Sequence, residues 1–116
     1  MKPIVRGNSA LTLVIAFNYG SRVEIAKAAR RLAEDVQAGR IAPEDITAQS
    51  LGQALDTSGI PDPDLLIRTS GEMRVSNFLL WQISYAEIVI VKKFWPDFSQ
   101  GDLFETVQEY QRRHRR

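Results

Sequence analysis

Two arginines in the middle of the chain have the residue types and spacing to bind an anion. Arg68 and Arg74 flank a turn of small residues, and Ser76 follows two positions later. A guanidinium offers a fixed fork of donors that suits phosphate oxygens, and a helix N-terminus after the turn would add further donors. The pattern therefore favours an anion such as a diphosphate. The alternative is structural: Arg68 would pair with Asp64 or Glu72, and the second arginine would be a solvated surface charge.

Three short apolar runs predict the strands that must position this turn. They show little alternation, which is typical of strands in a parallel sheet that is covered on both faces. The runs are residues 11–17, 64–67 and 87–91. Because helical patterns separate them, the expected fold class is α/β: a partial parallel sheet of about three strands, flanked by helices and joined by right-handed crossovers. We expect a single domain over residues 1–116.

The helical segments are predicted from apolar periodicity and from capping residues. A stripe that begins after Arg22 predicts an amphipathic helix, which Gly39 is placed to end. Residues 75–84 are apolar almost all round, which predicts a buried helix with Ser76 as its N-cap. The residues that can cap the two other helices are Thr47, Ser99 and Asp102. The expected inner faces are Ile25, Ala29, Leu32 and Val36 in the first helix, and Leu103, Val107 and Tyr110 in the last.

Ligands in open α/β sheets bind beyond the carboxyl ends of the strands. This rule selects the loops 18–22 and 68–74, and it selects less well the segment 85–87, which begins a strand. Asn18 and Arg22 in the first loop are therefore candidate site residues. The alternatives are an ordinary turn before a helix and an ion pair of the arginine with Glu24 or Asp35.

The composition is that of an ordinary globular domain, with 44% hydrophobic and 25% charged residues. A formal net charge of +1 favours neither nucleic acid nor an anionic membrane, so any anion site must be local. The absence of cysteine excludes disulfides and thiolate metal sites. No apolar run approaches the ~18 residues that span a bilayer, and the first residues lack an apolar signal core. We therefore expect no transmembrane segment and a cytoplasmic location.

The size of the chain predicts a partner. An α/β sandwich of 116 residues is close to the practical minimum, and a three-stranded parallel sheet exposes two apolar edges. We therefore expect self-association, such as a homodimer, or a separate partner chain. The basic run 112–116 complements a helix C-terminus and predicts no nucleic-acid contact, and His114 is assigned no chemistry.

The central stretch resembles the signature of undecaprenyl diphosphate synthases, which are cis-prenyltransferases. The matching residues are 62–72, 74–82 and 85–87, which read DPDLLIRTSGE, RVSNFLLWQ and YAE. Residues 18–22 resemble the family's Asn-Tyr-Gly-Gly-Arg segment, with Ser21 where a second glycine is usual, and residues 95–98 resemble its Trp-Pro-Asp-Phe element. The resemblance runs from about Gly7 to the C-terminus and corresponds to the second half of the family's enzyme.

The resemblance implies an isoprenyl transferase that condenses isopentenyl diphosphate with an allylic diphosphate, with Mg²⁺ assisting departure of the allylic diphosphate. The residues that would hold the diphosphate of isopentenyl diphosphate are Arg68, Arg74 and Ser76. Glu87 would help to hold Mg²⁺, whereas without the resemblance it would be a solvated carboxylate at a strand edge. Asn18 and Arg22 would help to build the substrate site.

Two segments of the family's first half do not occur in this sequence. They are a His-Gly-Asn segment preceded by a metal-binding aspartate, and a Phe-Ser-Ser-Glu-Asn-Trp-type segment. We therefore expect no complete catalytic set in this chain and no activity of the chain alone. One hypothesis is an enzyme portion that a separate first-half chain completes, or a truncated product. The alternative is a non-catalytic diphosphate-binding or scaffold subunit of a heteromeric cis-prenyltransferase.

Overall fold

The computed structural model describes residues 2–4 and 11–114, which contain both strands and helices. The elements are β1 (Lys2–Ile4), β2 (Leu13–Ile15), α1 (Ser21–Gln37), α2 (Ala48–Ala54), β3 (Leu65–Arg68), β4 (Glu87–Ile90) and α3 (Gln100–His114). The predicted α/β class is confirmed. The chain forms two compact units: the first comprises Met1–Pro61 and Asn77–Trp81, and the second comprises Asp62–Ser76 and Gln82–Arg116. The single domain over residues 1–116 stays a prediction.

The strands form two separate pairs. In the second unit β3 and β4 pair in parallel, with Leu65 opposite Glu87 and Arg68 opposite Ile90. In the first unit β2 pairs antiparallel with β1. Two of the three expected strands thus form the parallel pair, while the run 11–17 contributes to a different sheet. An apolar run predicts burial, but it does not specify which strand supplies its hydrogen bonds.

Helix α1 confirms the predicted amphipathic helix and its end. Gly39 adopts a left-handed φ of 78°, and its N–H donates to the carbonyl of Val36 at 3.0 Å. The buried side chains recur at spacings of three or four residues, as expected for one face of a helix. They are Ser21, Glu24, Ala28 and Leu32. Of the predicted inner face only Leu32 is fully buried, because the contact face is rotated toward the residues that precede Ile25 and Ala29.

The N-termini of α2 and α3 are capped as predicted. Thr47 Oγ1 accepts the N–H of Ser50 at 3.2 Å. Ser99 Oγ accepts the N–H of Asp102 at 3.1 Å, and the aspartate in return accepts the N–H of Ser99 at 2.9 Å. The predicted inner face of α3 is wrong at two positions, because Leu103 and Val107 are exposed and Thr106 is buried instead. No helix of the described chain is long and apolar enough to cross a membrane.

Residues 76–85 form turns and bends, so the predicted buried helix over residues 75–84 with Ser76 as N-cap is wrong. The residues with left-handed backbone in this segment are Ser76, Asn77 and Leu79, with φ of 52°, 61° and 47°. These values lie outside the right-handed helical region. The N–H of Leu80 donates to Ser21 Oγ at 2.8 Å, which is a contact to the start of α1. Hydrogen bonds to a distant segment thus determine this backbone, and apolar composition alone could not reveal them.

Each unit has few buried apolar side chains among the described residues. They are Ala28, Leu32 and Leu55 in the first unit, and Ile83 and Val89 in the second. Several large apolar side chains are exposed, among them Tyr85 at 100% and Phe17 at 81%. The described residues therefore leave considerable apolar surface open to solvent or to a partner.

Candidate functional site

The turn after β3 is held by backbone hydrogen bonds to the segment that follows β4. Arg68 ends β3, and Ser70 and Gly71 then adopt left-handed φ values of 65° and 63°. The N–H of Ser70 donates to the carbonyl of Lys93 at 2.7 Å, and the N–H of Gly71 donates to the carbonyl of Val91 at 2.9 Å. These bonds fix the direction in which the chain leaves the strand. The turn is therefore anchored close to Arg68.

The structure brings Arg68 and Ser76 together. Arg68 Nη2 donates to Ser76 Oγ at 3.2 Å. The Nε of the same guanidinium is buried, and it has no hydrogen-bond partner among residues 2–4 and 11–114. A buried donor that lacks a partner is costly, and more so when the group is charged. The geometry therefore favours an acceptor, such as an anion oxygen, at this side of Arg68.

The carboxylate of Glu72 contacts Arg74. The alternative pairing of Glu72 with Arg68 is not observed among the described residues. The distance from Arg74 Nε to Glu72 Oε1 is 3.5 Å, and the arginine side chain is 86% exposed. The backbone N–H of Arg74 also donates to the same oxygen at 3.3 Å. An exposed ion pair of this length contributes little stability. Arg74 is consequently free to exchange the carboxylate for a more highly charged anion.

Glu87 lies at the opposite end of the parallel pair from Arg68. It is the first residue of β4 and is paired with Leu65, so about 10 Å of strand separates it from Arg68. Glu87 Oε2 lies 3.9 Å from Arg113 Nη1, and the glutamate side chain is 41% exposed. Arg113 also donates from Nη1 to the carbonyl of Ile88 at 2.7 Å. The last turn of α3 therefore contacts the start of β4 beside this carboxylate.

A magnesium ion fits Glu87 only as one ligand among several. The described residues contain no group of three or more acidic or histidine side chains that could hold a metal by themselves. Mg²⁺ is commonly held by one or two carboxylates together with substrate phosphates and water. A partly exposed single carboxylate is compatible with that arrangement. The donor set thus fits a metal that arrives with a diphosphate, and not a metal held by protein ligands alone.

Asn18 and Arg22 belong to the first unit. Asn18 is exposed, has a left-handed φ of 48°, and lines a polar cavity of about 220 Å³ with Tyr19, Glu24 and Lys27. The backbone N–H of Arg22 donates to Asn77 Oδ1 at 2.9 Å, while the arginine side chain is exposed. The remaining predicted site residues belong to the second unit. They are Arg68, Arg74, Ser76 and Glu87.

Sequence reasoning missed a buried carboxylate beside this cavity. Glu24 is 4% exposed, and its carboxylate accepts the hydroxyl of Tyr19 and the backbone N–H of Asp56 at 3.0 Å. Burial, followed by the hydrogen bond to Glu24, raises the pKa of the Tyr19 phenol above its ordinary value of 10.0. The spacing in the sequence could have indicated the burial of Glu24. It precedes Ala28 and Leu32 by four and eight residues, which places the three side chains on one face of the helix.

Comparisons with known proteins agree with one another. The family model for undecaprenyl diphosphate synthases, a prenyltransferase model, matches residues 2–116. The isoprenyl transferase of Rhizobium meliloti (strain 1021) is 55% identical over 94% of this chain and 44% of its own length. Isoprenyl transferase 2 of Bradyrhizobium diazoefficiens is 58% identical over 97% of this chain and 45% of its own length.

A solved structure gives the same result for the fold. The crystal structure of lavandulyl diphosphate synthase from Lavandula x intermedia, in complex with dimethylallyl diphosphate, matches with a TM-score of 0.76 and 43% identity. The match covers 79% of this chain and 40% of that protein. The chain therefore spans less than half the length of the relatives and of the solved structure that it resembles.

Proposed function

Because the chain belongs to the undecaprenyl diphosphate synthase family of prenyltransferases, we propose that it forms the isopentenyl diphosphate-binding part of a cis-prenyltransferase. The reaction is the condensation of isopentenyl diphosphate with an allylic prenyl diphosphate. The observation that carries this proposal is the contact of Arg68 with Ser76 beside a buried guanidinium Nε that has no partner in the described chain. The complex of the lavender enzyme with dimethylallyl diphosphate supports an allylic diphosphate as the second substrate.

Three residues bind the diphosphate in this proposal. Arg68 supplies a guanidinium whose buried Nε gains an acceptor, and Ser76 supplies a hydroxyl next to it. Arg74 exchanges its weak contact with Glu72 for a phosphate oxygen. Binding of this kind neutralises the charge and fixes the orientation of the substrate, which are the main contributions that a protein can make to diphosphate chemistry.

The proposed role of Glu87 and Mg²⁺ in this site rests on the family resemblance, because about 10 Å of strand separates Glu87 from Arg68. The carboxylate of Glu87 would leave Arg113 and become one ligand of a metal that also contacts the diphosphate. When bound, Mg²⁺ supplies charge neutralisation at the phosphate oxygens. By resemblance, Asn18 in the loop before α1 and Arg22 in its first turn are proposed to contribute to a substrate site. A cytoplasmic location and a dimeric assembly stay predictions from the sequence.

Isothermal calorimetry on the 116-residue chain tests the diphosphate site directly. Wild-type chain titrated with isopentenyl diphosphate should bind, and Arg68→Ala should weaken binding roughly tenfold or more, since a hydrogen bond to a charged group contributes about 1.5–3 kcal/mol. Arg30→Ala removes an exposed arginine of α1 and serves as the matched control. Equal affinity in the wild type and in Arg68→Ala would refute the site. In a further titration with Mg²⁺, Glu87→Gln should lose any tightening that the metal confers on the wild type.

We expect the chain alone not to extend farnesyl diphosphate, because it contains neither first-half segment of the family. Radiolabelled isopentenyl diphosphate incorporation, with and without an added first-half polypeptide, measures this. Incorporation by the chain alone contradicts the expectation. Incorporation only in the presence of the added polypeptide supports the enzyme portion, whereas binding without incorporation in either case supports the scaffold subunit.

A further inference from the structure

The first turn of α1 is capped by a residue far away in sequence. Gly20 occupies the N-cap position and offers no side-chain acceptor. The carbonyl of Asn77 accepts the N–H of Ser21 at 2.8 Å, and Asn77 Oδ1 accepts the N–H of Arg22 at 2.9 Å. The first N–H groups of a helix have no partner within the helix and must find one elsewhere. Asn77 therefore supplies, from another segment, the acceptors that a local N-cap normally supplies.

The backbone around Asn77 is held in a conformation that needs outside support. Ser76 and Asn77 are consecutive left-handed residues, with φ of 52° and 61°. Neither is glycine, so this conformation persists only where the surroundings enforce it. A third hydrogen bond joins the same two segments. The N–H of Leu80 donates to the hydroxyl of the fully buried Ser21 at 2.8 Å. The start of α1 thus fixes the turn that comes directly after Ser76.

We infer that Asn77 is a positioning residue for Ser76, and this inference rests on the proposed diphosphate site. Asn77 is joined to Ser76 by a peptide bond, so fixing Asn77 fixes one side of the left-handed Ser76 backbone. That backbone in turn directs the hydroxyl that accepts Arg68 Nη2 at 3.2 Å. Asn77 acts through Ser76 and does not itself contact the ligand.

A double-mutant cycle measured with inorganic pyrophosphate tests this role. Calorimetry on the full chain compares the wild type with Asn77→Ala, Ser76→Ala and the double variant. Ser76→Ala removes the hydroxyl and should weaken pyrophosphate binding roughly threefold to tenfold. Asn77→Ala removes only the Oδ1 acceptor that holds Arg22 N–H, so it should weaken binding measurably but by no more than Ser76→Ala does. The double variant should bind no more weakly than Ser76→Ala alone. Asn77→Gly keeps the left-handed backbone without the side-chain acceptor and should fall between the wild type and Asn77→Ala.

Thr47→Ala provides the control for a general loss of stability. It removes the N-cap of α2 in the same unit, and it should lower the melting temperature without changing pyrophosphate affinity. Affinity of Asn77→Ala equal to that of the wild type, or losses that add in the double variant, would overturn the inference while leaving the diphosphate site intact. Failure of the wild type to bind pyrophosphate, or of Arg68→Ala to weaken binding, would overturn the site and the inference together.

Discussion

Replacing Glu24 by glutamine should lower the free energy of unfolding of the first unit, because a buried hydrogen bond is lost together with the charge. The carboxylate is 4% exposed and accepts hydrogen bonds from the Tyr19 hydroxyl and from the Asp56 N–H. Glutamine keeps one acceptor oxygen but turns an NH₂ group toward the second donor. One charge-assisted bond is then lost, which costs about 2 kcal/mol. For a chain of this size the loss corresponds to a fall in melting temperature of roughly 6–10 °C.

Urea denaturation followed by circular dichroism measures the loss. Glu34→Gln is the matched control, because Glu34 is an exposed glutamate on the same helix. This control should change the free energy of unfolding by no more than about 0.5 kcal/mol. Equal effects of Glu24→Gln and Glu34→Gln would show that the hydrogen bonds of Glu24 to Tyr19 and Asp56 do not stabilise the fold, and would refute this prediction.

The titration of Tyr19 gives an independent measurement of the same contact. Its pKa in the folded chain is raised above 10.0, first by burial and second by the hydrogen bond to Glu24. The folded state therefore holds the phenol proton more tightly than the unfolded state does. The protonated Tyr19 contributes its full stability below pH 10.0, and this stability is lost as the pH rises through the higher pKa of the folded state. Absorbance titration should show a lower phenol pKa in Glu24→Gln than in the wild type. An unchanged pKa contradicts the hydrogen bond.

Two further predictions concern the last helix and the assembly. The hydrogen bond from the backbone N–H of Ser99, and second that from Lys93, hold the pKa of Asp102 below its ordinary value of 3.8. The charged carboxylate therefore stabilises the fold above pH 3.8, and this stability is lost as the pH falls through the lower pKa of the folded state. Asp102→Asn should therefore lose less stability than the wild type between pH 6 and pH 3 in thermal melts, and equal losses would contradict the cap. The exposed apolar surface predicts self-association, so a monomeric mass in light scattering at micromolar concentration would argue against it.

The residues around the proposed site were predictable in part. The resemblance placed Arg68 and Ser76 in one site, and the structure brings the two side chains into contact. The position of Glu87 at the start of β4 also followed from the sequence, because its apolar run begins there. The roles of these residues toward a diphosphate and a metal stay predictions. Glu24 was missed because a glutamate on a buried face is recognisable only when its donors, Tyr19 and Asp56, are known to converge on it.

The start of α1 shows why helix α1 was predicted correctly and why the helix over residues 75–84 was not. Helices α2 and α3 satisfy their first N–H groups with side chains three residues away, so their beginnings can be predicted locally. Helix α1 has Gly20 at that position and takes its acceptors from Asn77. A helix through residues 75–84 would need Asn77 in the right-handed region, whereas the structure holds it at a φ of 61° while it caps α1. The turns and bends at residues 76–85 therefore occur together with the hydrogen bonds that cap α1. Both involve the contact of Asn77 with the start of α1, which no short-range pattern in the sequence specifies.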